Sequence, residues 1–481
     1  MLQRIPSSVR WALGILLVGS LIGGLLGSLS SDASFFQAFG GSLKSLLITG
    51  AVILVVFLLV YAPWIYLIRR RWTSYKSRHV FANDQTEKSL TKFIANGPAL
   101  FGVITIVYAL LIATFGYYIS PDPTNKVNRQ VAELEKHEPG FEIDFLRVRQ
   151  NRREKKTSAL TRLTKGITSQ YQEIPINSYE IQEDSVVVMH YRGKEFEAKR
   201  EAYELVNVVY AKSFQDSEVR KSGDTYSFRD VEDNQIEVSR ADLVKAVEKK
   251  HVVRRKFWFG TDQSGRDYLS RIILGTRISI SVGFLAVTVA LLIGITLGAI
   301  AGYFRVRIDD LIMWFINIFW SIPTLLLVFP IAFAFDMKEW VIYLAVGLTM
   351  WVDIARIVRG QVMSVREMEY VEAAKSLGFG HFRTIFRHIL PNISGPVIVV
   401  TAANFAYAIL IEAGLSFLGI GAQPPKPSWG QMIAKNKDNI AYGDPHLALI
   451  PGFCIVLLVL SFFLIGNGLR DALDARTRVE S

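Results

Sequence analysis

Two acids lie within long apolar runs of this chain, Asp353 and Glu412. An ionisable group in such a run normally faces protein or water rather than lipid. Arg356 follows Asp353 by one helical turn. Glu412, near the end of its run, suits a contact to a ligand's amino group and a structural bond equally well. Motifs for covalent or phosphate chemistry are missing. Gly193-Lys194 is followed by Glu195 instead of the Ser or Thr of a phosphate loop. No H-E-x-x-H helix occurs, and Gly414-Leu415-Ser416 lacks the second glycine of a nucleophile turn. The single cysteine, Cys454, sits in an apolar run, which rules out a disulfide framework or a cysteine-based metal site. An enzyme active site is not expected. The most informative stretch is mechanical: YVEAAKSLGFGHFRTIFRHILPN, Tyr370 to Asn392, an amphipathic segment wedged between two apolar runs.

Within it, Arg366 to Leu377 has good helix formers, with Glu367, Glu369 and Glu372 toward the start and Gly378 placed to end the helix. Phe382, Ile385, Phe386 and Ile389 then repeat at helical spacing, predicting one apolar stripe, and Pro391 interrupts that second helix. Ala373 and Ala374 are small enough to let another protein approach the backbone. A short rigid helix across the ends of two spans can transmit displacement to them; an ordinary membrane-surface helix is the plainer alternative.

The elements that must hold this segment are set by composition. With 51% hydrophobic residues and a mean hydropathy of +0.28, the chain carries more apolar sequence than a soluble domain buries. Eight runs pass the length test for spans: Trp11 to Ser28, Ser45 to Ile68, Pro98 to Ile119, Ile278 to Tyr303, Leu311 to Phe335, Trp340 to Val358, Ile393 to Leu418 and Leu447 to Ile465. The first also has features of a secretory signal, although its length favours an uncleaved helix. The net charge of +11 resides in Lys and Arg beside span ends. One orientation, with both termini cytoplasmic, puts every such cluster inside. This argues for orientation signals, against nucleic acid, and for a multi-pass protein bounded by membrane lipid. Pro323 and Pro330 permit bending in the fifth span.

Pro121 to Lys256 is the one large hydrophilic block, and that orientation puts it outside. A small α+β domain is expected. Phe141 to Lys165 has helical composition, Ser185 to Ala198 reads as a hairpin around Arg192-Gly193, and Tyr226 to Phe228 and Gln235 to Val238 add short strands. Ser239 caps a helix reaching Lys250. The basic run Arg147 to Lys156 reads as a solvated helix face. The organisation is therefore two N-terminal spans and a basic linker (1–97), a third span (98–120), the external insertion (121–256) and a core of five spans with the cytoplasmic loop (257–481).

Glu372, Ala373, Ala374 and Gly378, followed at the proper distance by Leu390 and Pro391, resemble the EAA loop of permease subunits of bacterial ABC importers. GTDQSGRDYLSRIILGTRISI (Gly260 to Ile280), EAGLSFLGIGAQPPKPSWGQMI (Glu412 to Ile433) and GLRDALDAR (Gly468 to Arg476) are similar to segments of the C-type permease of oligopeptide and dipeptide importers. The likeness departs at Phe257-Trp258, His388, Asn467 and Ala475. It covers the third span and everything after about Phe257; the first two spans and the external block have no counterpart in the common plan. The resemblance implies an all-α type I ABC importer permease fold in the inner membrane, with the insertion added. It implies a second homologous permease, two ATP-binding subunits that use ATP and Mg, an external substrate-binding protein and a peptide cargo. The EAA loop would be the helix that docks on the ATPase, and Asp353 and Glu412 would be candidates for the gate or substrate path. A rival reading is a non-transporting, force-transmitting membrane protein acting through its external domain; a membrane hydrolase is a third.

Overall fold

Backbone amides inside hydrocarbon must find partners within their own segment, so the long apolar runs fold as helices. The structure, a computed structural model, describes residues 61, 63–73, 84–124, 130–153, 157–193, 197–213, 218–335, 339–423, 426–440 and 443–473. The expected first span and most of the second lie outside them, as do the ends of the Arg147–Lys156 run and of the GLRDALDAR motif. Among the described residues, five helices are long and apolar enough to cross a membrane: Gly97–Ile119, Tyr268–Phe304, Trp340–Arg366, His381–Phe417 and His446–Leu473.

The expected fifth span is not one helix. Arg307–Trp320 and Thr324–Ala334 meet at 93°, with the break at Ser321-Ile322-Pro323. Pro323 has no amide hydrogen to donate and its φ is fixed, so it opens the second helix as its cap, whereas Pro330 stays inside that helix.

The described chain divides into two compact units. The first comprises the residues up to Leu110, Ser279–Gly421 and the residues from Lys437 on. Its helices pack through small residues. Gly294, Gly298 and Gly302 recur every fourth position along Tyr268–Phe304. A Cβ built on them would fall 2.7 Å from Ile354 Cβ, 2.5 Å from the Ala355 carbonyl oxygen and 2.7 Å from the Arg359 carbonyl oxygen, respectively. The backbones of this helix and Glu339–Arg366 therefore touch, the close approach that drives helix association where lipid removes the hydrophobic effect.

The second unit comprises Leu111–Ile278 and Ala422–Asn436. It holds a five-stranded antiparallel sheet of order β4-β3-β2-β1-β8, where β1 is Phe141–Arg149, β2 Tyr171–Gln182, β3 Ser185–His190, β4 Lys199–Glu204 and β8 Val252–Phe257. A three-stranded sheet adds β5 (Arg220–Ser222), β6 (Thr225–Arg229) and β7 (Gln235–Ser239). The short strands expected at Tyr226 and Gln235 and the Ser239 cap are present, the cap hydroxyl accepting from the Asp242 amide.

The helix expected over Phe141 to Lys165 is instead β1 followed by the short helix Ala159–Lys165. Ile143 and Phe145 pack with Leu134 and Phe257, while Leu146 joins the larger core of Ile174, Ile176, Val186 and Val188. A strand apolar on both faces loses the clean two-residue alternation that would have identified it. Arg147 and Arg149 of the basic run accordingly sit in a strand, not on a helix face, and Arg147 pairs with Glu173 at 3.0 Å. The hairpin expected to end at Ala198 has its second strand at Lys199–Glu204, pairing in register from Ser185–Glu204 to His190–Lys199.

Candidate functional site

The loop between the Glu339–Arg366 and Ser394–Phe417 helices opens with a helix at Glu369–Ser376, shorter than the expected Arg366 to Leu377. Arg366 still belongs to the preceding helix, and Glu367 sits in the turn, ion-paired to Arg305 at 2.7 Å. Glu369 and Glu372 occupy the first turn, where the exposed amides favour negative charge. The end is a Schellman closure: the Phe379 amide donates to the Ala374 carbonyl at 3.2 Å and the Gly378 amide to the Lys375 carbonyl at 2.9 Å. Gly378 takes φ +79 with open space around its missing Cβ, so its role is conformational alone. A left-handed residue with a Cβ costs about 1–2 kcal/mol. Gly378→Val is therefore expected to raise amide exchange at Gly378 and Phe379 roughly tenfold, and unchanged exchange would show that the closure does not depend on glycine.

Glu372 and Ala373 are exposed, but Ala374 is buried together with Val371. The expectation that both alanines admit another protein is corrected: Ala374 is covered by its own chain and only Ala373 remains open. The second helix departs from expectation as well. Ile385 and Ile389 are buried, whereas Phe382 and Phe386 are exposed and stack on each other with ring centres 6.4 Å apart. The predicted single stripe splits into two: each four-residue pair keeps a common face, Phe382 with Phe386 outward and Ile385 with Ile389 inward, and Ile385–Ile389 is wound as a wider π turn. Leu390 and Pro391 lie in a 3-10 turn, Leu390–Ile393, which separates that turn from the Ser394–Phe417 helix. The result is a surface of exposed Tyr370, Leu377 (75%), Phe382 (81%) and Phe386.

Tyr303 holds this surface in place, and sequence reasoning passed over it. It is buried near the end of Tyr268–Phe304. Its carbonyl accepts from Arg366 Nη1 at 2.6 Å, and its hydroxyl lies 3.1 Å from His381 Nδ1. The ammonium of Lys375 and the guanidinium of Arg366 each lie 5.6 Å from the ring centre. Burial, then the charge of Arg366, pushes the Lys375 ammonium below its ordinary range. Asp309 and Arg359 were missed too: Arg359 Nε and Nη2 donate to the two Asp309 oxygens at 2.5 and 2.6 Å. Their signal was opposite charge at the ends of neighbouring apolar runs, legible only once the helices are known to be adjacent.

The two candidate acids do not share a setting. Glu412 is 1% exposed and accepts from the Ser416 hydroxyl at 2.7 Å, one turn along its helix. Asp353 lies on an exposed face of Glu339–Arg366, and Arg356 on the same helix stacks 4.1 Å from the Trp320 ring at the 93° bend.

Residues 294–479 match the family described as binding-protein-dependent transport system inner membrane component. The dipeptide transport system permease protein DppC of Alkalihalophilus pseudofirmus is 45% identical over 221 residues, 46% of this chain and 72% of that protein. The glutathione transport system permease protein GsiD of Pectobacterium atrosepticum is 38% identical over 46% of this chain and 73% of its own length. For the oligopeptide transport system permease protein OppC of Bacillus subtilis the values are 39%, 46% and 72%. Among solved structures, the inward-facing MetNI methionine ABC transporter matches at 15% identity and TM-score 0.37, over 42% of this chain and 96% of that one.

Proposed function

The chain belongs to the binding-protein-dependent transport system inner membrane component family, and from that premise we propose that it is the membrane permease of an ATP-driven importer of dipeptides or oligopeptides. In this reading it forms the pore with a second, homologous permease. Two ATP-binding subunits beneath it use ATP and Mg, and a substrate-binding protein outside delivers the cargo. Both termini are cytoplasmic and the 121–256 insertion is external. Asp353 and Glu412 belong to the gate or the substrate path.

The observation that carries this reading is the loop surface of Tyr370, Leu377, Phe382 and Phe386, exposed yet held by Tyr303 to the ends of two spans. Apolar groups of that size on a cytoplasmic loop suit a partner's groove. The Glu372–Gly378 helix then passes nucleotide-driven motion to the spans, each ligand shifting the equilibrium by its differential affinity for the two states. The relatives named for peptide transport favour this over the force-transmitting alternative.

ATP-dependent uptake of a labelled dipeptide, measured with all partner subunits in proteoliposomes, tests the reading. Replacing Phe382 and Phe386 together by Ala is expected to cut uptake at least about tenfold, the loss of two anchors worth over 1 kcal/mol each. Because both rings are exposed, the variant should fold. The absence of any peptide movement by the complete wild-type complex would end the proposal.

A further inference from the structure

Among the described residues, Arg271 is the largest fully buried side chain, 1% exposed, and the carboxylate it pairs with is shared with another arginine. It lies in the GRDYLSR segment at the start of Tyr268–Phe304, within the second unit. The carboxylate nearest to it is Asp262, whose Oδ2 is 3.5 Å from Arg271 Nε. That carboxylate is already occupied. Asp262 Oδ1 accepts from the amides of Ser264 at 2.9 Å and Arg266 at 3.1 Å. Asp262 Oδ2 is held by Arg266 Nε at 2.7 Å and Nη2 at 2.6 Å. Four donors use the full acceptor capacity of a carboxylate, and Arg271 Nε and Nη1 are left buried without a hydrogen-bond partner.

A third cation faces the same place. Lys435, on the Trp429–Asn436 helix, has its ammonium pushed below the ordinary range by burial first and then by the charges of Arg266 and Arg271. The helix is anchored one residue from Arg271, where Trp429 Nε1 donates to the Ile272 carbonyl at 3.0 Å. Arg266, Arg271 and Lys435 thus stand against the single carboxylate of Asp262. A buried charge left uncompensated is costly enough that proteins pair it or bind a counter-ion. Arg271 is buried, whereas Lys435 is exposed.

We propose that Arg271 and Lys435 form a subsite for a small carboxylate, which Lys435 receives and the Nη1 donor of Arg271, left without a hydrogen bond, holds. Resting on the peptide-import reading, the natural source of that group is the C-terminal carboxylate of a peptide; a free organic acid carries the same chemistry.

The full chain, purified in lipid nanodiscs, is titrated with acetate, with Ala-Ala and with Ala-Ala amide, binding being read as a saturable rise in unfolding temperature. Acetate and Ala-Ala are expected to bind and the amide to bind at least about tenfold more weakly, the loss of one charge-assisted contact. Arg271→Gln is expected to abolish the acetate response. Lys435→Gln, at an exposed position, keeps the test decisive if the first variant does not fold, and should weaken acetate about tenfold. Arg220→Gln, remote and exposed, should leave binding unchanged. Equal binding of amide and acid, no acetate response in the wild type, or an unaltered Lys435→Gln titration each overturns the subsite. Acetate binding without Ala-Ala binding overturns the peptide as source. The assay needs no transport, so a complex that moves no peptide while acetate still binds defeats the import reading and spares the subsite.

Discussion

Gly298→Leu is expected to remove most folded protein from the membrane, while Gly360→Leu, on the opposing helix, is tolerated. The contrast isolates close packing from helix propensity, because both changes replace glycine in a long apolar helix. A Cβ at Gly298 would lie 2.5 Å from the Ala355 carbonyl oxygen, 2.9 Å from Val358 Cβ and 3.0 Å from Ala355 Cα. Backbone cannot swing aside as a side-chain tip can, so the two helices must separate. Separation also withdraws the neighbouring glycines, Gly294 and Gly302, from their own contacts. Overpacking of this kind costs roughly 3 kcal/mol or more, a large share of ordinary fold stability. A Cβ added at Gly360 would meet nothing within 4 Å, and leucine there gains helix propensity. Detergent-extracted yield and unfolding temperature measure both; equal behaviour of the two variants would refute the backbone contact.

Asp309→Ala and Arg359→Ala should each destabilise the protein and reduce uptake, and the double variant should be milder than the sum of the singles. The pair is bidentate at 2.5 and 2.6 Å, with Asp309 buried and Arg359 partly exposed. It ties Arg307–Trp320 to Glu339–Arg366 two turns before the loop. Removing one partner leaves a desolvated charge, which costs more than the pair itself contributes. Discounted for the exposure of Arg359, a coupling energy of about 1–3 kcal/mol is expected from a double-mutant cycle on unfolding. Additive single effects would show that the two side chains act separately. Uptake should fall with stability, since the same helix end carries Arg366 and, through it, Tyr303.

What the sequence determined by itself were properties written in local order. The runs Pro98 to Ile119, Ile278 to Tyr303, Trp340 to Val358, Ile393 to Leu418 and Leu447 to Ile465 each fall within or nearly within a long apolar helix, because satisfying the backbone in lipid leaves a twenty-residue apolar run little else to form. The helix ending at Gly378 and the Ser239 cap were equally legible, since a left-handed turn and an N-cap depend on adjacent residues. The family resemblance rests on Glu372, Ala373, Ala374, Gly378, Leu390 and Pro391, which follow one another in local order. Tertiary structure decided the rest. The 93° break at Pro323 depends on where the two halves pack, for a proline permits a bend without dictating its size. β1 was hidden because both its faces are buried, and burial on two sides erases periodicity. Phe382 and Phe386 face outward and Ile385 and Ile389 inward, a partition that depends on what packs against the loop and that no spacing rule contains. The contacts of Tyr303, the Asp309–Arg359 pair and the approach of Lys435 to the Arg271 cluster all join residues distant along the chain. Such contacts exist only after folding, because the free energy of a buried charge depends on what surrounds it in space, not on what precedes it in sequence.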